Sequence, residues 1–157
     1  MNDNTLATDP QYIHSKLVTT QVEMMHVAAV RGICNLEEVG VPAQHEFDDN
    51  DNFATHALGY YNDEPISAVR MRFFGDFVKL ERACVRPKYR NRHILPCAID
   101  LVSRFAGQKG YRQKAAHFIP EAGAGNVSPF EQIVIEQLVG AVDRPVRIIV
   151  HPKPLKS

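Results

Sequence analysis

The stretch Val78-Lys79-Leu80-Glu81-Arg82-Ala83-Cys84-Val85-Arg86-Pro87-Lys88-Tyr89-Arg90-Asn91-Arg92-His93-Ile94-Leu95-Pro96 decides the fold. It reads as a strand that empties into a basic loop, and the loop opens a helix. The first turn of a helix leaves backbone N–H groups without partners, and the helix dipole favours anions there. A strand, loop and helix in this order therefore suit a pyrophosphate, with Arg90 and Arg92 adding positive charge beside it. The loop contains no glycine.

Upstream of this stretch the pattern is a meander. Residues 55–61, 66–74 and 77–85 are expected as strands, and Asn62-Asp63-Glu64-Pro65 joins the first two. Gly75-Asp76, between Phe74 and Phe77, has the spacing of a two-residue hairpin turn, which sets Arg70 opposite Glu81 and Met71 opposite Leu80. Earlier still, residues 12–19 read as a short edge strand. Thr20-Gln21-Val22-Glu23 has capping-box spacing, and Val22, Met25, Ala29, Ile33 and Leu36 recur at helical intervals as far as Glu38. Gly40 and Pro42 end that helix, and the acidic stretch through Asn52 is expected as a loop or a short irregular helix.

Downstream, a helix is expected over residues 96–109, with Ile94, Ala98, Leu101 and Phe105 on one face and Gly110 as its stop. Residues 114–119 form a strand parallel to its predecessor if the crossover rule holds. A loop follows over 121–126. Ser128-Pro129-Phe130-Glu131 has the form of a second capping box and predicts a helix to Val139, residues 146–150 predict a last strand, and 152–157 a frayed tail.

A chain of 157 residues with 45% hydrophobic content suits one domain, 1–157, whose core needs neither disulfides nor metal. Zero formal net charge gives no overall basic field for nucleic acid or a membrane surface. The charges are sorted along the chain all the same. Six carboxylates and no Lys or Arg fall in residues 44–64, and eight basic residues fall in 70–92. The first segment would suit a cationic ligand and the second a polyanion, unless both are solvated surface. Cys34, Cys84 and Cys97 form no CxxC pair, and the histidines have no ligand spacing, so no disulfide framework and no metal is expected. No apolar run approaches the roughly 20 residues of a membrane helix. Residues 1–10 are polar and acidic, unlike a signal peptide, and a cytoplasmic location is expected.

The order of elements resembles the GNAT superfamily of acyl-CoA-dependent N-acyltransferases, and the residues carry the resemblance further. Gly40-Val41-Pro42, Glu46-Phe47-Asp48 with Asp51, Ala54-Thr55-His56-Ala57-Leu58, Pro65-Ile66-Ser67-Ala68-Val69-Arg70-Met71-Arg72 and the run from Lys79 to Arg90 are similar to a subgroup of small bacterial acetyltransferases, over about residues 27–110. The resemblance implies an α/β (α+β) fold, a mixed and mostly antiparallel central sheet with helices on both faces. It also implies transfer of an acetyl or other acyl group from acetyl-CoA or another acyl-CoA to a small-molecule amine, without metal.

The superfamily's phosphate loop, Arg/Gln-x-x-Gly-x-Gly/Ala, falls on Arg90, Asn91, Arg92, His93, Ile94 and Leu95, with His93 and Leu95 where the glycines stand. Either the amides still bind CoA with a shifted geometry or the cofactor site is lost, since side chains crowd the backbone where glycine would not. The resemblance places the cofactor along Ala83, Cys84 and Val85, with an N–H near Cys84 or Val85 meeting the thioester carbonyl where the fourth and fifth strands splay apart. No tyrosine follows Tyr111 to protonate the thiolate, and His117 is the candidate acid in its place. Glu81 is the candidate base, against the reading that an ion pair with Arg70 keeps its pKa low. Glu46, Asp49 and Asp51 would attract an amine unless they are solvated surface, and Arg70 and Arg72 would hold a substrate carboxylate unless they belong to the pair with Glu81. Two alternatives stand beside this: a catalytically silent ligand-binding or interaction module, and an N-acyl amino acid or homoserine lactone synthase-like enzyme fed by an acyl carrier protein docked on the basic segment. An uncovered sheet edge near the C-terminus suggests a homodimer.

Overall fold

The computed structural model describes residues 12–90, 94–118, 130–137 and 147–152. Seven strands lie side by side in chain order: β1 (Ile13–Leu17), β2 (Thr55–Tyr61), β3 (Glu64–Phe74), β4 (Phe77–Val85), β5 (Gln113–Phe118), β6 (Phe130–Gln137) and β7 (Arg147–Pro152). Every neighbouring pair is antiparallel except β4 and β5, which are parallel. The helices are α1 (Gln21–Arg31), which continues into a π-helical segment (Gly32–Glu38), a single turn α2 (Ala43–Glu46), and α3 (Ile94–Gln108). The mixed, mostly antiparallel sheet with helices on both faces is the architecture that the resemblance implied.

Strand alternation builds the two faces. Ala57, Val69, Met71, Val78 and Leu80 point to one side and pack on Ala98, Val102 and Ala106 of α3. Their neighbours Leu58, Tyr60, Ala68 and Cys84 point to the other and pack on Val27, Val30 and Cys34 of α1 and its extension. The Gly75-Asp76 turn sets the expected register, Phe74 opposite Phe77 and Arg70 opposite Glu81. The capping box at the start of α1 is formed, with the Thr20 hydroxyl accepting from Glu23 N–H at 3.2 Å and the Glu23 carboxylate accepting from Thr20 N–H at 3.2 Å. Gly110 ends α3 at φ 91°, a conformation that penalises any residue with a Cβ. Pro96 is the third residue of α3, still within the turn where its missing N–H breaks no helical bond.

Two expectations fail here. The stripe Val22, Met25, Ala29, Ile33 and Leu36 is not the buried face of α1: Val22 and Met25 are 60% and 62% exposed, while Val27, Val30, Arg31 and Cys34 are each 1% exposed. The burial of Arg31 explains the rotation, because its guanidinium must reach Glu46 and Asp51, and apolar periodicity is blind to a buried ion pair. Within the helix expected over 128–139, the described residues 130–137 form β6, antiparallel to β5. Ile133-Val134-Ile135 is a β-branched run, and the open edge of β5 offers it a full ladder, which outweighs a local capping pattern. Beyond β5 the same chain adds β6 and β7, and among the described residues β7 is then the edge strand on the C-terminal side of the sheet. The expected loop at 121–126 and most of the tail lie outside the described residues.

Candidate active site

The site is built by a defect in β4. Pairing with β3 runs from Phe74↔Phe77 to Arg70↔Glu81, then slips by one residue, so that Ala68 faces Cys84 and Ser67 faces Val85. The extra residue is taken up at Arg82, whose φ of 55° is left-handed backbone that a side-chain-bearing residue adopts at a penalty of about 1 kcal/mol. A bulge keeps two successive side chains on one side of the sheet. Both Glu81 and Arg82 therefore reach the α1 face, where strict alternation would have driven Arg82 into the apolar layer under α3.

The bulge also opens the sheet. Parallel pairing of β4 with β5 stops at Leu80↔Ala116, although β5 runs on to Phe118 and pairs there with β6. Among the described residues, the edge of β4 facing β5 carries no ladder from Glu81 to Val85. Arg86 N–H donates to Ile66 O of β3 at 2.8 Å. Because N–H groups alternate along a strand, Cys84 N–H also faces β3, and Val85 N–H, like that of Ala83, faces the opening. Of the two amides expected at the thioester, Val85 is thus the one turned toward the splay. His117 follows the last residue of β5 that pairs with β4, which sets its backbone beside the same opening.

On the α1 face the acidic and basic segments of the sequence meet. Arg31 donates from Nε to Glu46 Oε1 at 2.7 Å and from Nη1 to Asp51 Oδ1 at 2.8 Å, while Asn35 Nδ2 donates to the same Glu46 oxygen at 2.7 Å. Arg70 binds Asp48 Oδ1 at 2.7 Å and Asp51 Oδ1 at 3.0 Å, and its other arm donates to Glu81. Arg72 donates to Glu81 Oε1 from Nε and Nη2 at 2.9 and 2.6 Å, and Lys79 lies 3.3 Å from that oxygen. Arg82 extends toward Glu46 and Asp48 at 3.6 and 3.7 Å. Of the six carboxylates between 44 and 64, Glu46, Asp48 and Asp51 are therefore partners of the protein's own arginines, while Asp49, Asp63 and Glu64 are exposed.

This arrangement bears on several expectations. Burial would raise the pKa of Glu81, but hydrogen bonds from Arg70 and Arg72 and the charges of Arg70 and Lys79 prevail and hold it at about 2. Such a carboxylate takes up a proton poorly, as the ion-pair reading expected. Glu46 and Arg70, expected to meet substrate, are 0% and 1% exposed and sealed in the network, whereas the Arg72 side chain keeps 23% exposure. Cys84, a free buried thiol, has its pKa pushed up by the adjoining Cys34 thiol and by burial, which makes it no nucleophile. The contact of Cys34 with Cys84 was invisible in their spacing.

At the loop, Ile94 is fully buried with Ile66, Val85 and Tyr89, and Leu95 packs inward against the same group and against the layer under α3. The leucine in the second glycine position is thus turned into the core. Arg90 is engaged by Glu38 and by the Val85 carbonyl. Asn91, Arg92 and His93 lie outside the described residues. Among the described residues no group of three potential ligands could hold a metal ion, and no helix is long and apolar enough to cross a membrane.

No protein-family model matches the chain. A Bacillus subtilis protein that carries a provisional acetyltransferase assignment is 29% identical over 98 residues, 60% of this chain and 67% of that protein. A crystal structure from Lactobacillus plantarum, provisionally assigned as an N-acetyltransferase, superposes with a TM-score of 0.70 at 21% identity, over 81% of this chain and 99% of that one. The fold is that of the GNAT N-acetyltransferases. Within the GNAT fold the Thermoplasma acidophilum PaiA N-acetyltransferase, solved in complex with coenzyme A, gives a TM-score of 0.53 at 10% identity, over 71% of this chain and 84% of that one. The sheet that splays between β4 and β5, the one parallel pair among the described strands, is therefore set in the GNAT fold.

Proposed function

We propose that this chain transfers an acetyl or other acyl group from acyl-CoA to the amine of a small molecule, the thioester lying in the splay between β4 and β5. The observation that carries the reading is the Val85 N–H, directed into an opening where β4 has no partner strand. An acyl-transfer intermediate develops negative charge on its carbonyl oxygen, and a fixed backbone donor in a site closed to water stabilises that charge more than the ground state. The thioester carbonyl meets this amide, the pantetheine arm runs along Ala83 to Val85, and the pyrophosphate lies at the entry to α3, since the first turn of a helix offers amides without intrahelical partners. His117, beside the opening, supplies the proton to the departing thiolate.

Glu81 then acts by organising Arg70, Arg72 and Lys79, and the acceptor must arrive as its own neutral amine. The rate at subsaturating acceptor should rise with pH toward the amine's pKa, without an inflection from a carboxylate base near pH 4 to 5. The deciding variant is Val85→Pro. It removes the N–H that faces the splay, and that N–H belongs to no ladder. Turnover with a panel of small amines should fall by roughly 100- to 1000-fold while CoA binding measured by calorimetry survives. Retained turnover would defeat the reading.

A further inference from the structure

Arg90 opens the loop that the sequence assigns to a pyrophosphate, yet its side chain is committed elsewhere. Nη1 and Nη2 fork onto the two carboxylate oxygens of Glu38 at 2.7 and 2.9 Å, and Nε donates to the carbonyl oxygen of Val85 at 3.0 Å. Paired parallel bonds of this kind fix a guanidinium in angle as well as in distance. Glu38 is in turn placed by the π-helical segment. The wider winding after Gly32 rotates this segment relative to a continued α-helix, buries Cys34 and Asn35 together, and closes with Val39 N–H on Cys34 O at 3.3 Å. Cys34 packs on Cys84, and Asn35 holds Glu46, so the segment meets the end of β4 through an apolar contact and ends there on an ion pair.

We infer that Arg90 is a positioning residue. Fastened by Glu38, it clamps the Val85 carbonyl, which shares with the Val85 N–H the edge of β4 that faces the splay, and so fixes the strand end on which the amide is carried. The phosphates then fall to backbone amides at the entry to α3. This inference rests on the acyltransferase reading for its consequence, though the clamp itself is a property of the unliganded chain.

Acetyl-CoA titrations by calorimetry on the wild type, Glu38→Gln, Arg90→Gln and Arg90→Lys separate the two roles. A clamp requires that Glu38→Gln weaken binding about five- to ten-fold and that Arg90→Lys fare as badly as Arg90→Gln, because an ammonium cannot fork onto Glu38 and reach Val85 O at once. A direct phosphate contact gives the opposite: Glu38→Gln binds as well or better, and Arg90→Lys keeps most of the affinity. Either result overturns the inference. Hydrogen exchange without ligand gives a second readout at the Arg86 amide, bonded to Ile66 O. Its exchange should accelerate about ten-fold in Glu38→Gln, and unchanged protection overturns the clamp. A wild type that binds no acetyl-CoA at millimolar concentration defeats the acyltransferase reading, and the exchange experiment then decides the clamp alone.

Discussion

Substituting Glu81→Gln tests the ion network at its centre. The carboxylate is 7% exposed and bonded to Arg70 and Arg72, with Lys79 at 3.3 Å, and its pKa is lowered from 4.5 to about 2. A depression of about 2.5 units corresponds to about 3 kcal/mol of stability, since each unit is worth about 1.4 kcal/mol. The group is depressed in the folded state, so this contribution is fully present above the unfolded value of 4.5 and is lost as pH falls toward 2. About half of it is gone at pH 3. Urea unfolding at pH 7, 5, 4 and 3 should find the variant about 3 kcal/mol less stable at neutral pH, with the two curves converging in acid. Parallel curves would mean that Glu81 is not held by these cations, and the argument against it as a base would fall with them.

Other consequences follow from single contacts. Thr20→Ala removes the cap of α1 and should lower stability by about 1 kcal/mol in chemical unfolding, with Thr20→Ser close to wild type. Gly59→Ala would set a methyl 2.2 Å from Ser67 Oγ, so a loss of about 1 to 3 kcal/mol is expected. Ser67→Ala should restore most of it, because that hydroxyl is buried without a hydrogen bond. Gly110→Ala, at φ 91°, should lower the melting temperature by several degrees through a loss of about 1 kcal/mol. Asp51→Asn should weaken both Arg31 and Arg70 and move the acid midpoint of unfolding upward, because Asp51 has its own pKa lowered: burial opposes the shift, and the bonds from the two arginines overcome it.

The meander was legible in residue order because its determinants are local. Alternation within 55–61 and 77–85 and a two-residue turn at Gly75-Asp76 leave one register, and the observed pairs Arg70↔Glu81 and Met71↔Leu80 obey it. The bulge at Arg82 had no signal of its own, since arginine is an ordinary strand residue and only the mismatch with β3 past Arg70 reveals the slip. The same holds for α1. The buried face of that helix and its extension includes Arg31 among Val27, Val30 and Cys34, a choice made by Glu46 at the end of α2 and by Asp51 beyond it, some 15 to 20 residues later.

By itself, the chain order of hydrophobic alternation, caps and turns determined the first five strands, the last strand and the two long helices, together with the strand, loop and helix that could receive a pyrophosphate. Those features follow from backbone geometry and neighbours a few residues apart. Which charges face one another, and which amide is left without a ladder, was decided only by the tertiary structure. Ion pairs between Arg31 and Glu46 or Arg90 and Glu38, and the parting of β4 from β5 after Leu80, depend on segments that meet only when the sheet is assembled, because Coulomb forces and strand pairing act through space and leave no period in the sequence.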